Sequence, residues 1–255
     1  MKDQTKIIAF LGKGGAGKTV LSALTAKLLM QKRGRKILLI DADPAMGLSF
    51  ALGIKNFRTI AEAREELIRS AGKAEKETDK QKLAAMLDYL LLEALTELPD
   101  FSFLGMGRKR EKGCYCPVNI LLRESISALA ENFDWIVIDA EAGMEQVSRE
   151  VTREVSHPII VTDSSLRGIA AADAISRALK MSVQAQPAGV IFNRVQKPDR
   201  PLIKLLKESK LSCLGQIPPD ENISRFDREG KSLLELPEKS KALIALADIL
   251  RLAIF

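Results

Sequence analysis

The chain has 255 residues, 46% of them hydrophobic and 28% charged, a balance that suits one large α/β domain, or two small ones, with a sizeable core. Its net charge of +6 invites a polyanionic ligand, but the basic residues are spread out and aromatics make up only 5%, which argues against a stacking platform for nucleic acid. Three cysteines exclude a disulfide framework, no apolar run reaches the length of a membrane span, and Met1 to Thr5 is too polar for a secretion signal, so the expected compartment is the cytoplasm.

Lys6 to Leu11 is a short apolar run that reads as a buried strand, and Val20 to Gln31, rich in Leu, Ala and Lys, reads as a helix. Between them stands Gly12-Lys13-Gly14-Gly15-Ala16-Gly17-Lys18-Thr19, which fits the phosphate-binding pattern G-x-x-x-x-G-K-[ST]. Lys36 to Ile40 is the next strand, ending at Asp41-Ala42-Asp43-Pro44. This opening unit predicts a right-handed parallel crossover. Pro44 to Ile54 reads as a loop.

Residues 59–98 form a charged helical insertion, with one helix over Ala61 to Ala71 and a second over Lys80 to Leu98. Phe101 to Leu104 is a short strand, followed by a loop over 105–117 and a helix over Val118 to Glu131. Trp135 to Ile138 is an apolar run closed by Asp139, as in a central parallel strand. Ile159 to Val161 and Gly189 to Phe192 repeat that form, with an alanine-rich helix from Leu166 to Met181 between them. Cys213 to Ile217 is a last strand, and a helix from Glu238 to Phe255 ends the sequence. Strands alternate with helices throughout, which predicts an α/β fold: a doubly wound, mostly parallel sheet with helices on both faces, in a single domain. Ligands of such sheets bind at the C-terminal ends of the strands.

The chemistry-bearing residues lie at those ends. In the glycine loop, Gly12, Gly14, Gly15, Ala16 and Gly17 let the backbone close on an anion, and Val20 opens the helix beside it. Lys18 can reach terminal phosphates and the Thr19 hydroxyl can ligate Mg²⁺, so ATP or ADP with Mg²⁺ is the expected ligand. Asp43 can orient a water in line with a γ-phosphate, while Asp41 can support Mg²⁺ through water; the plainer alternative is that both cap a turn. Asp139 has the form of a carboxylate that holds Mg²⁺, and the following stretch to Glu145 turns through Gly143 toward a helix. Asn193, followed by Arg194, can read an adenine edge with donor and acceptor together, and Ile217-Pro218-Pro219 can wall the base.

Two features remain. Lys13 is a second lysine in the phosphate loop, and nothing in its own chain explains why two are needed. Cys114-Tyr115-Cys116 places two thiols where one soft metal ion can be chelated, but Zn²⁺ or thiolate-bound Ni²⁺ wants more ligands than one pair. Cys213 precedes an apolar strand and reads as a buried small hydrophobe, and the single histidine, His157, reads as structural. One chain therefore cannot build a four-thiolate site, whereas two chains related by a two-fold axis can. A simple pair of surface thiols is the alternative.

The loop K-G-G-x-G-K-T resembles the deviant P-loop of the MinD/ParA/nitrogenase-iron-protein ATPases. That resemblance implies an ATP-dependent homodimer in which Lys13 crosses to the partner's nucleotide, with Asp43 as the switch aspartate and the loops at Asn193 and Pro218 holding adenine. More narrowly, Gly113-Cys114-Tyr115-Cys116-Pro117-Val118-Asn119, Ile138-Asp139-Ala140-Glu141-Ala142-Gly143-Met144-Glu145 and Gln216-Ile217-Pro218 with Asp220-Glu221-Asn222-Ile223 resemble the CooC-type ATPases. In that family the C-x-C pair binds Ni²⁺ or Zn²⁺ at the dimer interface, and ATP turnover accompanies nickel delivery to carbon monoxide dehydrogenase. Gln146 stands where a histidine is expected. The competing expectations are a positioning ATPase acting on membrane or DNA, and an electron-transfer protein with a shared cluster. Tight C-x-C spacing disfavours the latter. An apolar C-terminal helix without a basic face implies packing on the sheet rather than membrane insertion.

Overall fold

The computed structural model describes residues 5–70, 89–107, 124–140, 155–182, 189–196, 203–204, 207–208 and 211–254. Its centre is an eight-stranded sheet: β1 (Lys6–Leu11), β2 (Ile37–Asp41), β3 (Leu95–Glu97), β4 (Ser102–Gly105), β5 (Trp135–Asp139), β6 (His157–Thr162), β7 (Gly189–Asn193) and β8 (Cys213–Ile217). The spatial order is β3-β4-β2-β5-β1-β6-β7-β8, and every pairing except β3 with β4 is parallel. The expected doubly wound, mostly parallel sheet is therefore present. β1 sits between β5 and β6, so the phosphate loop leaves the middle of the sheet with a carboxylate-ended strand on either side.

Alternation along β1 divides the core. Ile8 and Phe10 face one layer, made by α1 (Lys18–Met30), α2 (Gly47–Leu52) and the C-terminal helix at Lys241–Ala253. Ile7, Ala9 and Leu11 face the other, made by α3 (Ile60–Ser70), α4 (89–94), α5 (124–130) and α6 (Leu166–Ser182). Helix α7 is Glu221–Glu229, a 3-10 turn follows at Leu233–Glu235, and the C-terminal helix is α8 (Lys241–Ala253). Helix α8 buries Leu243, Leu246 and Leu250 against β8 and α1, as its apolar pattern implied. Among the described residues no helix is long and apolar enough to cross a membrane.

Three expectations change. Residues 47–52 are helical, not a loop. Helix α2 has no local side-chain cap, since Met46 stands before it in a left-handed conformation. Its N-terminal amides instead donate to the carboxylate of Asp41 at the end of β2, an acceptor seven and eight residues back that the usual capping pattern does not show. The second insertion helix stops at residue 94, and Leu95–Glu97 pairs antiparallel with β4, so the sheet edge overrides the helical pattern. Cys213 is exposed rather than buried, because it opens β8 at the outer edge of the sheet.

Candidate functional site

Glycines set the course of the phosphate loop. At Gly12 a Cβ would stand 2.3 Å from the Val161 carbonyl oxygen, so only glycine lets the chain leave β1 so close to β6. Gly17 precedes α1 with φ 97°, a left-handed conformation, and places the loop at the helix N-terminus. Lys18 is 6% exposed, and its ammonium curls back to the Lys13 carbonyl at 3.4 Å.

On the β5 side, Asp139 is fully buried, and neither of its carboxylate oxygens has a hydrogen-bond partner. Burial lifts its pKa to about 6; the hydroxyls of Thr19 and Ser22, near the carboxylate but outside hydrogen-bond geometry, and the Lys18 ammonium pull it down, and Asp43 adds to the rise. A buried, unsatisfied carboxylate costs on the order of several kcal/mol unless it takes a proton or a cation. These oxygens beside the Thr19 hydroxyl fit a hard divalent ion, so Thr19 and Asp139 are the residues that would hold Mg²⁺. Bound there, Mg²⁺ would supply charge neutralisation for the phosphates of a nucleotide.

Asp41 is engaged by backbone amides, as in the turn-capping alternative. One oxygen accepts from the backbone N–H groups of Leu48 at 2.9 Å and Ser49 at 3.2 Å, and the other from Asp43 N–H at 3.2 Å. Its carboxylate anchors α2 to β2 directly. Burial, followed by the charge of Asp139, holds its pKa at about 7 against those three amides. Asp43 lies half-buried on the turn between β2 and α2, where one carboxylate oxygen accepts from Ala45 N–H at 2.9 Å.

On the β6 side, Lys13 is held within its own chain. Its ammonium pairs with Asp163 at 2.7 Å and donates to Ser165 Oγ at 3.1 Å. The other Asp163 oxygen accepts from both the N–H and the Oγ of Ser165, and Ser165 Oγ accepts from Gly168 N–H. Burial alone would raise the Asp163 pKa, but hydrogen bonds from Lys13 and Ser165, with the Lys13 charge, bring it to about 2. Sequence reasoning missed Asp163 and Ser165. The signal was there: Asp163 follows a buried apolar strand beside β1, the same form that singles out Asp139.

A cavity of about 420 Å³ opens between the loop, α2, the end of β7 and the turn before α7. Thr19, Val20, Asn193, Arg194, Pro218 and Pro219 line it, joined by Phe50 of α2. Ile217 does not: it is 1% exposed and belongs to the core beneath, because its alternation on β8 turns it inward. Asp220 fixes this wall. Its carboxylate accepts from Asn222 N–H at 2.9 Å, Ser240 Oγ at 2.6 Å and Ala242 N–H at 3.2 Å, so one side chain caps α7 and ties it to the start of α8. Cys114, Cys116 and residues 141–146 lie outside the described residues. Among the described residues no group of three or more His, Cys, Asp or Glu side chains could hold a metal ion.

The family model for the CobQ/CobB/MinD/ParA nucleotide-binding domain matches residues 7–234. An uncharacterised ATP-binding protein of Methanocaldococcus jannaschii is 38% identical over 240 residues, covering 92% of this chain and 93% of that one. The carbon monoxide dehydrogenase accessory protein CooC of Rhodospirillum rubrum is 26% identical over 253 residues, covering 93% and 94%. Among solved structures, the septum site-determining protein MinD of Pyrococcus horikoshii, complexed with Mg-ADP, shares the fold with a TM-score of 0.69 and 23% identity, covering 96% of this chain and 94% of that one. The phosphate loop, the buried Asp139 and a match that runs from β1 to beyond α7 agree: the chain belongs to the CobQ/CobB/MinD/ParA family of nucleotide-binding P-loop proteins.

Proposed function

We propose that the chain is an ATP-hydrolysing metallochaperone, which dimerises with nucleotide and assists nickel insertion into the C-cluster of carbon monoxide dehydrogenase. The observation that carries this reading is Cys114-x-Cys116 in a chain whose other soft ligands stand elsewhere. Cys213 opens the edge strand β8, and His157 Nδ1 lies 2.9 Å from Ser156 Oγ at the start of β6. Two chains supply four thiolates; one does not. CooC, similar over nearly its full length, supports the same reading.

In this scheme Lys18 and the loop amides hold the terminal phosphates of ATP, and Asp43 orients the attacking water. Lys13 leaves Asp163 and Ser165 and reaches the phosphates bound by a second copy. Closure changes the distance between the two C-x-C pairs and so the affinity for Ni²⁺ or Zn²⁺, and hydrolysis resets the dimer. Metal analysis with light scattering, with and without ATP, tests it. About one metal per dimer is expected, lost in the Cys114→Ala/Cys116→Ala variant; unchanged stoichiometry in that variant refutes the site.

A second reading, a MinD/ParA-like positioning ATPase, is favoured by Ile244 and Leu252 on α8, which are 50% and 84% exposed in a chain of net charge +6. Co-sedimentation with anionic liposomes or DNA in the presence of ATP separates the two.

A further inference from the structure

We propose that Asn193 and Arg194 are positioning residues for the phosphate loop, beyond any contact they make with a base. Asn193 ends β7 and is 4% exposed. Its Nδ2 donates to the Ala16 carbonyl at 2.8 Å. The amide orientation follows from its partner, because a backbone carbonyl only accepts. The approach is close: a Cβ on Gly17 would lie 2.0 Å from the same nitrogen. Gly17 is therefore required by Asn193 as well as by the left-handed turn.

Arg194 continues the connection. It adopts φ 60°, uncommon for a residue with a Cβ, and its guanidinium donates to the Gly15 carbonyl. Val195 N–H then donates to the Ile217 carbonyl at 2.9 Å, just before Pro218. Three consecutive residues thus tie two carbonyls of the phosphate loop to the wall of the cavity.

The consequence lies in peptide geometry. In a trans peptide unit the C=O of one residue and the N–H of the next point in opposite directions. Holding the Ala16 carbonyl against β7 aims the Gly17 N–H the other way, into the loop. Holding the Gly15 carbonyl fixes Ala16 N–H, which closes the turn on the Lys13 carbonyl at 3.3 Å. A loop that binds an anion must present N–H groups and keep carbonyls turned away. Asn193 does this for the Ala16–Gly17 peptide, and Arg194 holds the neighbouring Gly15–Ala16 peptide in the closed turn that supports it, before any ligand arrives.

The inference rests only on the nucleotide site, so its failure leaves the metal reading untouched. The test compares inorganic tripolyphosphate and ATP, each with Mg²⁺, by calorimetry on the wild-type chain, Asn193→Ala and Arg194→Ala. Tripolyphosphate has no base. Asn193→Ala is expected to weaken tripolyphosphate and ATP alike, each by about three- to tenfold, and Arg194→Ala each by about twofold. Hydrogen exchange on nucleotide-free protein is expected to quicken in residues 12–19 of both variants and nowhere else. Global destabilisation would quicken it throughout, and that result counts against the proposal. Weakening confined to ATP, with tripolyphosphate unchanged, makes Asn193 a base reader alone and overturns it. Unchanged exchange in residues 12–19 overturns it as well. Arg194 is exposed, so Arg194→Ala carries both readouts even if Asn193→Ala folds poorly.

Discussion

On the β5 side of the phosphate loop, Asp139 is buried with two unbonded oxygens; on the β6–β7 side, Asp163 and Asn193 are tied to Lys13, Ser165 and Ala16. Both flanks end parallel strands next to β1, and both carry a carboxylate. They differ in what satisfies it. The β6 carboxylate has its counter-charge in the chain, so its pKa falls to about 2, whereas burial lifts the β5 carboxylate to about 6. One flank is complete in the free protein. The other is energetically settled only by a proton or a cation, which is how a binding site is told from a structural clasp.

The largest effect should come where both flanks meet the ligand. Lys18→Ala is expected to slow ATP turnover by about a hundred- to a thousandfold, measured as phosphate release, because it removes the buried cation of the phosphate loop, which the proposed function assigns to the terminal phosphates. Turnover within tenfold of wild type would show that the loop does not act on ATP as described.

Asp139→Asn breaks the β5 side of the comparison. Turnover with Mg²⁺ should fall by about a hundredfold, while the metal-free protein at pH 8 should be stabilised by about 1–3 kcal/mol in denaturant melts, as an unsatisfied buried charge is removed. A destabilised variant would mean that the carboxylate has partners of its own.

The two flanks should also answer pH with opposite signs. Asp139 and Asp41 have raised pKa values, about 6 and about 7, so the folded state keeps protons that the unfolded chain releases. Their contribution to stability is full below about pH 4 and is lost as pH rises to about 7. Asp163 is depressed to about 2, so its contribution is present above about pH 4 and lost as pH falls toward 2. The difference in melting point between wild type and Asp139→Asn, without Mg²⁺, should narrow as pH falls from about 8 to about 5. Parallel curves would contradict the assignment.

The smallest effect concerns the clasp on Lys13. The pair is partly exposed, with Lys13 and Asp163 side chains each 30% accessible, so it is worth about 0.2–1 kcal/mol. Asp163→Asn should therefore strengthen ATP-dependent dimerisation by about two- to fivefold in light scattering. Weaker dimerisation would mean that Asp163 acts in the dimer rather than against it.

Much of this was legible in the residues. The apolar strands and the glycine loop announce themselves because a buried parallel strand must be apolar throughout and a phosphate cradle must lack Cβ atoms. The carboxylates at strand ends were equally visible, and Asp163 was overlooked only because no motif names it. What stayed hidden depended on pairings that periodicity and motif spacing do not encode. Helix α2 exists through Asp41, the strand Leu95–Glu97 through the edge of β4, and the inward turn of Ile217 through its place on β8.

The sequence by itself determined the family, the parallel sheet and the phosphate loop, because those follow from local periodicity and from residues adjacent in the chain. Only the tertiary structure decided which polar groups are already satisfied. Lys13 and Asp163 are 150 positions apart (163 less 13), and Asn193 meets Ala16 across 177. Whether such groups hold each other or wait for a ligand depends on distance and burial, which a linear sequence does not carry.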